Sequence, residues 1–494
     1  MSKPSKPGQS GQPRRQLNLF DTINIIIGVI IGSGIYETTP DIASNTSSST
    51  ELIGVWIFGG VIALIAAFCY VELTTSFPRE GGDYVFLSKG LGRHFGFLFS
   101  WAEFWIIRPG NIGMMAFVFA RFAREIVPLD VPAPWRNVEM IAYGCGATVV
   151  LTALNLLGVT SGKTTQNVLN VAKLVGLLAI ILTAFFLLPA AAPPAESASA
   201  EPSEATTETA ADKGPADPAA ADSSDQAKGD TSSESSKSVR LAILLVLFSY
   251  GGWNEVSCVA AEVRDPQKNI FRALAFGVFA VAAVYVLVNF AFLRALGLAG
   301  VAGSEAVAAD VMALRFGDVG RVGISILICA SSLGAMNGAL MAGSRILFAV
   351  GRDHKQLSWL GGWSGRFDAP IAALVLQTLM ILALIIGFGR YDDGFQNLFD
   401  FTTPVYWCFA TLVAISLFLL RRQKPDVDKP YRVIGYPVTP IVFVGLCLFL
   451  SYSSITYARD NFSVEAYWSA GILLLGAFAT LIVSFGRSDE KPDK

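Results

Sequence analysis

The sequence predicts an all-α polytopic membrane protein with twelve transmembrane helices. Of its 494 residues, 53% are hydrophobic and only 15% are charged, and the mean hydropathy is +0.51. Apolar runs of about 18 residues or more, the length that crosses a bilayer as a helix, recur along the chain. The predicted spans, numbered 1 to 12 in chain order, are 18–43, 51–77, 96–126, 138–157, 165–190, 239–260, 271–296, 319–350, 369–388, 394–420, 436–455 and 465–485.

Lysine and arginine in the connections predict the orientation, because basic loops tend to stay in the cytoplasm. These residues cluster in the N-terminal segment and after the even-numbered spans, as in the connection 421–432. The opposite connections contain few of them. Both termini are therefore expected in the cytoplasm, and the protein is expected in a plasma membrane, as a multi-pass protein of a bacterial inner membrane.

Spans 1 and 6 are each interrupted by glycines near their middle. Span 1 contains GVIIGSGIY (28–36), and span 6 contains FSYGGWN (248–254). Lipid cannot satisfy free backbone groups, so an interrupted helix is tolerated only where protein or a water-filled cavity supplies partners. Gly28 and Gly32 are four apart and also fit a packing seam between helices. Paired breaks in corresponding positions of two halves are instead typical of a transporter site.

The spacing of the two breaks predicts an inverted repeat. Five spans separate them, so the second half must enter the membrane from the opposite side. Between the halves, residues 191–238 contain ten acidic residues and three lysines and are rich in Ala, Pro and Ser; such a segment is expected to be a disordered external loop. The predicted division is an N-terminal tail (1–17), a first repeat (18–190), the acidic loop (191–238), a second repeat (239–420), two peripheral helices (436–485) and a C-terminal tail (486–494).

The broken helix ends predict binding of a zwitterion. Where span 1 restarts, the N–H groups at Ser33 and Gly34 lack intrahelical acceptors and carry the positive end of the helix dipole, which suits a carboxylate. The carbonyls at the ends of the first half-helices, such as those of Ile30, Phe248 and Gly251, carry the negative end and suit an ammonium. One anion cradle beside one cation cradle matches the α-carboxylate and α-amino groups of an amino acid.

Other chemistries find no support in the sequence. The six cysteines lie inside apolar spans, form no CxxC motif, and are interpreted as packing residues. Neither a phosphate-binding loop, a dinucleotide fingerprint nor a Ser-His-Asp set is present in the chain. The protein is therefore expected not to be an enzyme, to need no cofactor or metal, and to bind no nucleic acid.

Seven motifs between residues 18 and 455 carry a family resemblance. They are GVIIGSGIY (28–36), YVELTTSFPREGGDYVFL (70–87), WIIRPGN (105–111), VAKLVGLLAI (171–180), FSYGGWN (248–254), EVRDPQKNIFRAL (262–274) and MNGALMAGSRILFAVGRD (336–353). In sequence and order they resemble the amino acid-polyamine-organocation (APC) superfamily and, within it, the L-type amino acid transporter (LAT) family. The resemblance implies the leucine-transporter fold, with ten core helices in two inverted five-helix repeats plus two peripheral helices.

The resemblance also implies roles for individual residues. It assigns the substrate carboxylate to the backbone N–H groups of Gly32, Ser33 and Gly34. It assigns the substrate amino group to the backbone carbonyls of Ile30, Phe248 and Gly251. The Phe248 ring would gate the site from outside, although core packing is the alternative, and Asn254 would brace the unwound span 6. A glycine at 251 leaves the pocket floor uncharged and favours neutral substrates.

Two intramembrane charges, Lys173 and Glu255, are treated as functional hypotheses, because an unpaired charge in a bilayer is costly. The resemblance implies that Lys173 takes the place of sodium in sodium-coupled relatives; snorkelling to the surface is the alternative. Glu255 departs from the uncharged residue expected there, and three roles stay open: favouring cationic substrates, carrying a coupled proton, or facing away from the site. Glu103 and Arg108 are five apart, so they are expected to pair with loop charges rather than with each other.

The sequence thus predicts a sodium-independent permease that exchanges neutral amino acids, an antiporter working by alternating access. A proton-coupled symporter, with Glu255 or Lys173 carrying the proton, and a non-transporting amino acid sensor are the alternatives. The expected partners are a small-molecule amino acid and the lipid bilayer. Because the connection around 128–137 contains no cysteine, no disulfide-linked heavy chain is expected.

Overall fold

The computed structural model describes residues 18–485, with gaps at 33, 78–80, 130–131, 133–135, 158–162, 189–237, 256, 258–262, 354, 365–368, 392, 424, 426–428 and 461–462. The two predicted tails, and all but the last residue of the predicted acidic loop, lie outside the described residues. Within the described part, the regular structure is helical apart from an isolated bridge between Ser364 and Ala369 and a bridge residue at Val263.

Each of the twelve predicted spans coincides with a helix or with a set of helical segments. In span order these are Leu19–Ile30 with Gly34–Ser44, Ser49–Ser76, Arg93–Ala102 with Glu103–Ile107 and Arg108–Ile126, Arg136–Leu156, Lys163–Leu182 with Thr183–Leu187, Val239–Ser249, Pro266–Ala302, Val307–Asp353, Ile371–Phe388, Gly394–Gln423, Val438–Asp460 and Val464–Phe485. Three shorter helices, Asp83–Gly90, Trp253–Glu255 and Lys355–Gly361, lie in the connections and at the second break.

Eight helices in the described ranges are long and apolar enough to cross a membrane, or up to nine when the bent pair in span 1 counts as one. Span 3 falls short of this criterion because it carries the charges of Glu103, Arg108, Arg121 and Arg124. Span 6 breaks after Ser249, and much of its second half lies outside the described residues. The protein is a multi-pass membrane protein.

Local sequence explains where several helices begin. Asn18 and Asp21 form a reciprocal capping box at the start of span 1, and the Ser48 hydroxyl caps span 2. Span 7 starts at Pro266, whose missing N–H costs nothing in a first helical turn. Spans 7 and 8 are longer than predicted. The helix of span 7 continues past Gly297, and the helix of span 8 begins before Gly317.

A buried ion pair ties the ends of spans 2 and 10 together. The Arg421 guanidinium donates two hydrogen bonds to the Glu72 carboxylate, which also accepts from the backbone N–H of Val433 at 2.7 Å. The Glu72 side chain is only 3% exposed, so the pair and the added hydrogen bond offset its burial. The end of span 2 and the end of span 10 therefore lie at the same end of the bundle, and the start of span 10 lies at the other.

Candidate functional site

A cavity of about 310 Å³ extends from the two helix breaks towards the end of the bundle that carries residues 81–83. The end of the cavity at the two breaks, here called its head, is lined by the unwound backbone of both breaks. The opposite end, here called its far part, is lined by side chains of spans 2, 3, 8 and 10. The residues at its head include Gly32, Gly34, Phe248 and Gly251. Its size falls at the lower end of the range for small-molecule sites, about 300–1,000 Å³.

The two breaks lie against each other. The two halves of span 1 are bent by 44°, and a Cβ on Gly34 would stand 3.1 Å from the Cα of Ser249 at the end of the first half of span 6. The hydroxyls of Thr38 and Ser249 are 2.8 Å apart. Gly252 has a φ of +99°, and a Cβ there would stand 2.9 Å from Cγ1 of Val29. Glycine permits both the left-handed backbone and the close approach, so the predicted pair of breaks is confirmed.

The glycines of GVIIGSGIY serve different purposes. A Cβ on Gly28 would overlap the side-chain amide of Asn170 in span 5, so this glycine is needed for helix packing. Gly32 has only backbone of its own segment within 4 Å of such a Cβ and lines the cavity. Ser33 lies outside the described residues. Packing and access to the cavity are therefore both present in one motif: Gly28 contacts Asn170 and also lines the cavity, whereas Gly32 lines the cavity without such a contact.

Two of the three carbonyls predicted to receive an ammonium, those of Ile30 and Phe248, already accept hydrogen bonds within the protein. The Ile30 carbonyl accepts from the Tyr285 hydroxyl at 2.9 Å and from the Gly32 N–H at 2.7 Å. The Tyr285 oxygen is also 3.2 Å from the Ser249 carbonyl, and the Phe248 carbonyl accepts from the Gly251 N–H at 2.9 Å. In this conformation an ammonium at Ile30 must displace the Tyr285 hydroxyl.

Sequence reasoning missed Tyr285, which is buried in span 7 and joins the two breaks through its single hydroxyl. Tyr285→Phe is expected to lower the initial rate of substrate uptake about tenfold, because the hydroxyl that lies between the Ile30 and Ser249 carbonyls, one at each break, is lost. Tyr250→Phe is the matched control: Tyr250 belongs to the second break, but its hydroxyl donates to the Trp56 carbonyl of span 2 at 3.1 Å and contacts neither broken helix end. An equal loss in both variants, measured in proteoliposomes, would contradict a special role for Tyr285.

Phe248 packs against the start of span 10. Its ring meets those of Phe395 and Phe399 edge to face, with centroids 5.9 and 5.6 Å away. These two residues belong to the end of the bundle opposite Glu72, Arg421 and the cavity's far part. The ring thus lines the head of the cavity and packs on the side away from residues 81–83.

Lys173 is buried at the first break and does not snorkel. Its side chain is fully enclosed, with 1% of the residue exposed, and its ammonium donates to the Gly28 carbonyl at 2.8 Å. Ser331 and Ser332 of span 8 are also buried, but their hydroxyls form no hydrogen bond within the described residues. The geometry therefore places a fixed cation beside the broken helix, as the motif VAKLVGLLAI implied.

The expectation that Glu103 and Arg108 do not pair is wrong. Residues 103–107 form a π-helical turn, in which i→i+5 hydrogen bonds replace the i→i+4 ladder. The turn brings residues five apart together, and the Glu103 carboxylate accepts from Nε of Arg108 at 2.7 Å and from Nη2 at 2.5 Å. The remaining Nη1 of Arg108 is 2.7 Å from the Glu255 carboxylate. Glu255 therefore faces the cavity in an ion pair rather than facing away.

Asp83 was also missed, although it lies in the motif that follows span 2. It starts the helix Asp83–Gly90, lines the cavity, and has a buried Oδ1. Burial raises the pKa of this carboxyl to about 7; hydrogen bonding by the Tyr70 hydroxyl and the Asn254 side chain lowers it in part, and the carboxylates of Glu103 and Glu255 raise it. Asn254 thus connects the unwound segment of span 6 with the Asp83–Gly90 helix.

Comparison with known proteins identifies the family. A family model described as "Amino acid permease" matches residues 17–478. The chain is 25% identical over 463 residues to the b(0,+)-type amino acid transporter 1 of Homo sapiens, covering 90% of this chain and 85% of the relative. It is 27% identical over 444 residues to the large neutral amino acids transporter small subunit 2 of Mus musculus, covering 89% and 76%. The chain belongs to the amino acid permease family, within the APC superfamily that its motifs resemble.

Proposed function

We propose that the protein is a sodium-independent transporter that exchanges neutral amino acids by alternating access. One observation carries this proposal: two broken helices meet at the head of a cavity of about 310 Å³. Unwound backbone at such a point offers both N–H and C=O groups to a zwitterion. Family membership and the names of the relatives, which are amino acid transporters, support the same function, and the protein is a transporter rather than an enzyme.

The substrate carboxylate is assigned to the backbone N–H groups of Ser33 and Gly34, and to that of Gly32 once it releases the Ile30 carbonyl. Its amino group is assigned to the carbonyls of Phe248 and Gly251, and to that of Ile30 once the Tyr285 hydroxyl has moved. The access that Gly32 leaves to the cavity supports the first assignment. The absence of a side chain at Gly251 supports a neutral substrate, because nothing there can pair with a charged group.

Sodium independence is assigned to Lys173. A buried ammonium 2.8 Å from the Gly28 carbonyl supplies a positive charge beside the first break. A sodium ion bound to the same backbone would have to share this space with a like charge, which is unfavourable in a medium of low dielectric constant. Lys173 therefore performs the structural task of the ion without being released on transport.

The conformation is assigned as inward-facing. With residues 77–92 on the cytoplasmic side, as the distribution of lysine and arginine predicts, the cavity extends from the breaks towards the cytoplasm. Phe248 and its neighbours Phe395 and Phe399 then pack on the external side. The repeats 18–190 and 239–420 would exchange this arrangement for its mirror during transport.

The protein is proposed to work without a disulfide-linked heavy chain. One relative is named as a small subunit. In this chain, however, the connection around 128–137 has no cysteine, and the cysteines of the described residues lie in the spans. The purified single chain should therefore be sufficient for transport.

Transport by the purified chain tests the proposal. Proteoliposomes preloaded with leucine are expected to take up labelled leucine at least about tenfold faster than empty ones, at equal rates in sodium and choline chloride. Uptake into empty vesicles that follows an imposed pH gradient would instead indicate proton symport. Loss of uptake in choline would contradict the role of Lys173. Binding of leucine without any uptake would indicate a sensor.

A further inference from the structure

Five charged side chains line the cavity within the described residues: Asp83, Glu103, Arg108, Glu255 and Arg345. Three of them, Glu103, Arg108 and Glu255, form one connected ion-pair cluster. Glu255 differs from the other two because it belongs to the short helix Trp253–Glu255, directly after the unwound glycines of span 6. The cluster therefore joins the backbone of the proposed substrate site to span 3.

The Arg108 guanidinium is held in one orientation. The π-helical turn 103–107 places the Glu103 carboxylate beside Nε and Nη2 of Arg108, so that it contacts one edge of the guanidinium. The side chains of Arg108 and Glu103 are only 9% and 6% exposed. Both nitrogens on that edge contact one oxygen, Oε1 of Glu103, which leaves Nη1 to contact Glu255.

That direction is into the cavity and onto Glu255. Nη1 lies 2.7 Å from Oε1 of Glu255, and the Glu255 side chain, at 20%, is the most exposed of the three. A carboxylate of the protein thus occupies the position at which Arg108 could receive a carboxylate of a substrate. A substrate with an acidic side chain would have to displace Glu255 and leave that carboxylate without its ion-pair partner in the cavity.

We propose that Glu255 is a specificity-determining residue, a built-in carboxylate that occupies Arg108 and so excludes acidic amino acids from the cavity. This inference rests on the proposed function as an amino acid transporter. The basis is exchange of one carboxylate for another on the same guanidinium: when Glu255 is removed, the side-chain carboxylate of glutamate or aspartate takes its place. The charge of the cluster is then the same as in the wild-type protein.

The test compares labelled glutamate, leucine and lysine uptake into proteoliposomes preloaded with leucine. Glu255→Ala is expected to raise the ratio of glutamate to leucine uptake at least tenfold. Glu255→Gln is expected to raise it less, because the amide still fills the space beside Arg108. Adding Arg108→Met to Glu255→Ala is expected to abolish the gain. Glu125→Ala is the matched control, since Glu125 pairs with Arg321 at 3.2 Å outside the cavity and its loss should leave the ratio unchanged.

An unchanged ratio in both Glu255 variants, or a gain for lysine instead of glutamate, would overturn the inference. If a variant does not transport, thermal unfolding of the detergent-purified protein with leucine or glutamate replaces uptake. Glutamate must then stabilise Glu255→Ala and not the wild type, and the absence of that difference also overturns it. Failure of the proposed function itself is seen separately, as a wild-type protein that neither transports nor is stabilised by leucine.

Discussion

Replacing Gly34 by valine is expected to reduce amino acid uptake at least about a hundredfold while the protein still inserts and folds. A Cβ at this position would stand 3.0 Å from Oγ and 3.1 Å from Cα of Ser249, and the valine methyl groups extend beyond that point. The contact lies between the two breaks, so the added volume separates the very backbone groups assigned to the substrate. Overpacking of this kind costs about 1–3 kcal/mol even without a bound ligand.

Gly54→Val is the matched control for this experiment. Gly54 lies in span 2, and a Cβ at this position would have no atom within 4 Å, so valine there meets open space. Leucine uptake and leucine-induced thermal stabilisation should be lost in Gly34→Val and retained in Gly54→Val. If Gly34→Val binds leucine as the wild type does, then GVIIGSGIY is a packing seam at this glycine and does not form the substrate site.

Replacing Lys173 by glutamine is expected to reduce uptake between about tenfold and a hundredfold. The substitution removes a buried ammonium that donates to the Gly28 carbonyl at 2.8 Å, and an unsatisfied buried acceptor costs about 1–3 kcal/mol. It also removes the positive charge beside the break, where the first half of span 1 ends with its negative dipole. The end of that half-helix therefore loses both its hydrogen bond and its counter-charge.

Arg294→Gln provides the control for Lys173. Arg294 also donates to backbone carbonyls of span 5, those of Ala184 and Leu188, but at the far end of the span from the break. Its loss should change uptake less than about threefold, since an exposed or peripheral hydrogen bond contributes little. Equal effects of both substitutions on uptake and on thermal stability would assign Lys173 a purely structural role.

The positions of the spans and of the two breaks could be predicted because they depend on local properties of the chain. A run of apolar residues long enough to cross a bilayer remains recognisable without its neighbours, and glycines at the centre of such a run weaken the helix wherever it packs. Lys173 could be selected for the same reason, since one charge in an apolar span must find a partner. The partner itself, the Gly28 carbonyl, was not predicted and is seen only in the tertiary structure.

The pairing of Glu103 with Arg108 could not be predicted, because an α-helix places residues five apart on different faces. One π-helical turn changes that register by a single residue, and no feature of the sequence marks it. Tyr285 was overlooked for a different reason. Its hydroxyl is one polar group in a largely apolar span. It matters because it contacts the carbonyls of Ile30 and Ser249, which are 255 and 36 residues away in the chain.

The sequence by itself determined the helical membrane architecture, the two interrupted spans and the buried lysine, since each follows from the cost of exposing or burying groups in lipid. Only the tertiary structure decided what the interruptions face. It showed that Gly28 packs against Asn170 and that Gly32 lines the cavity. It also showed that the Ile30 carbonyl accepts a hydrogen bond from Tyr285 and that Glu255 forms an ion pair with Arg108. These outcomes depend on distances between spans far apart in the chain, which hydropathy and spacing do not contain.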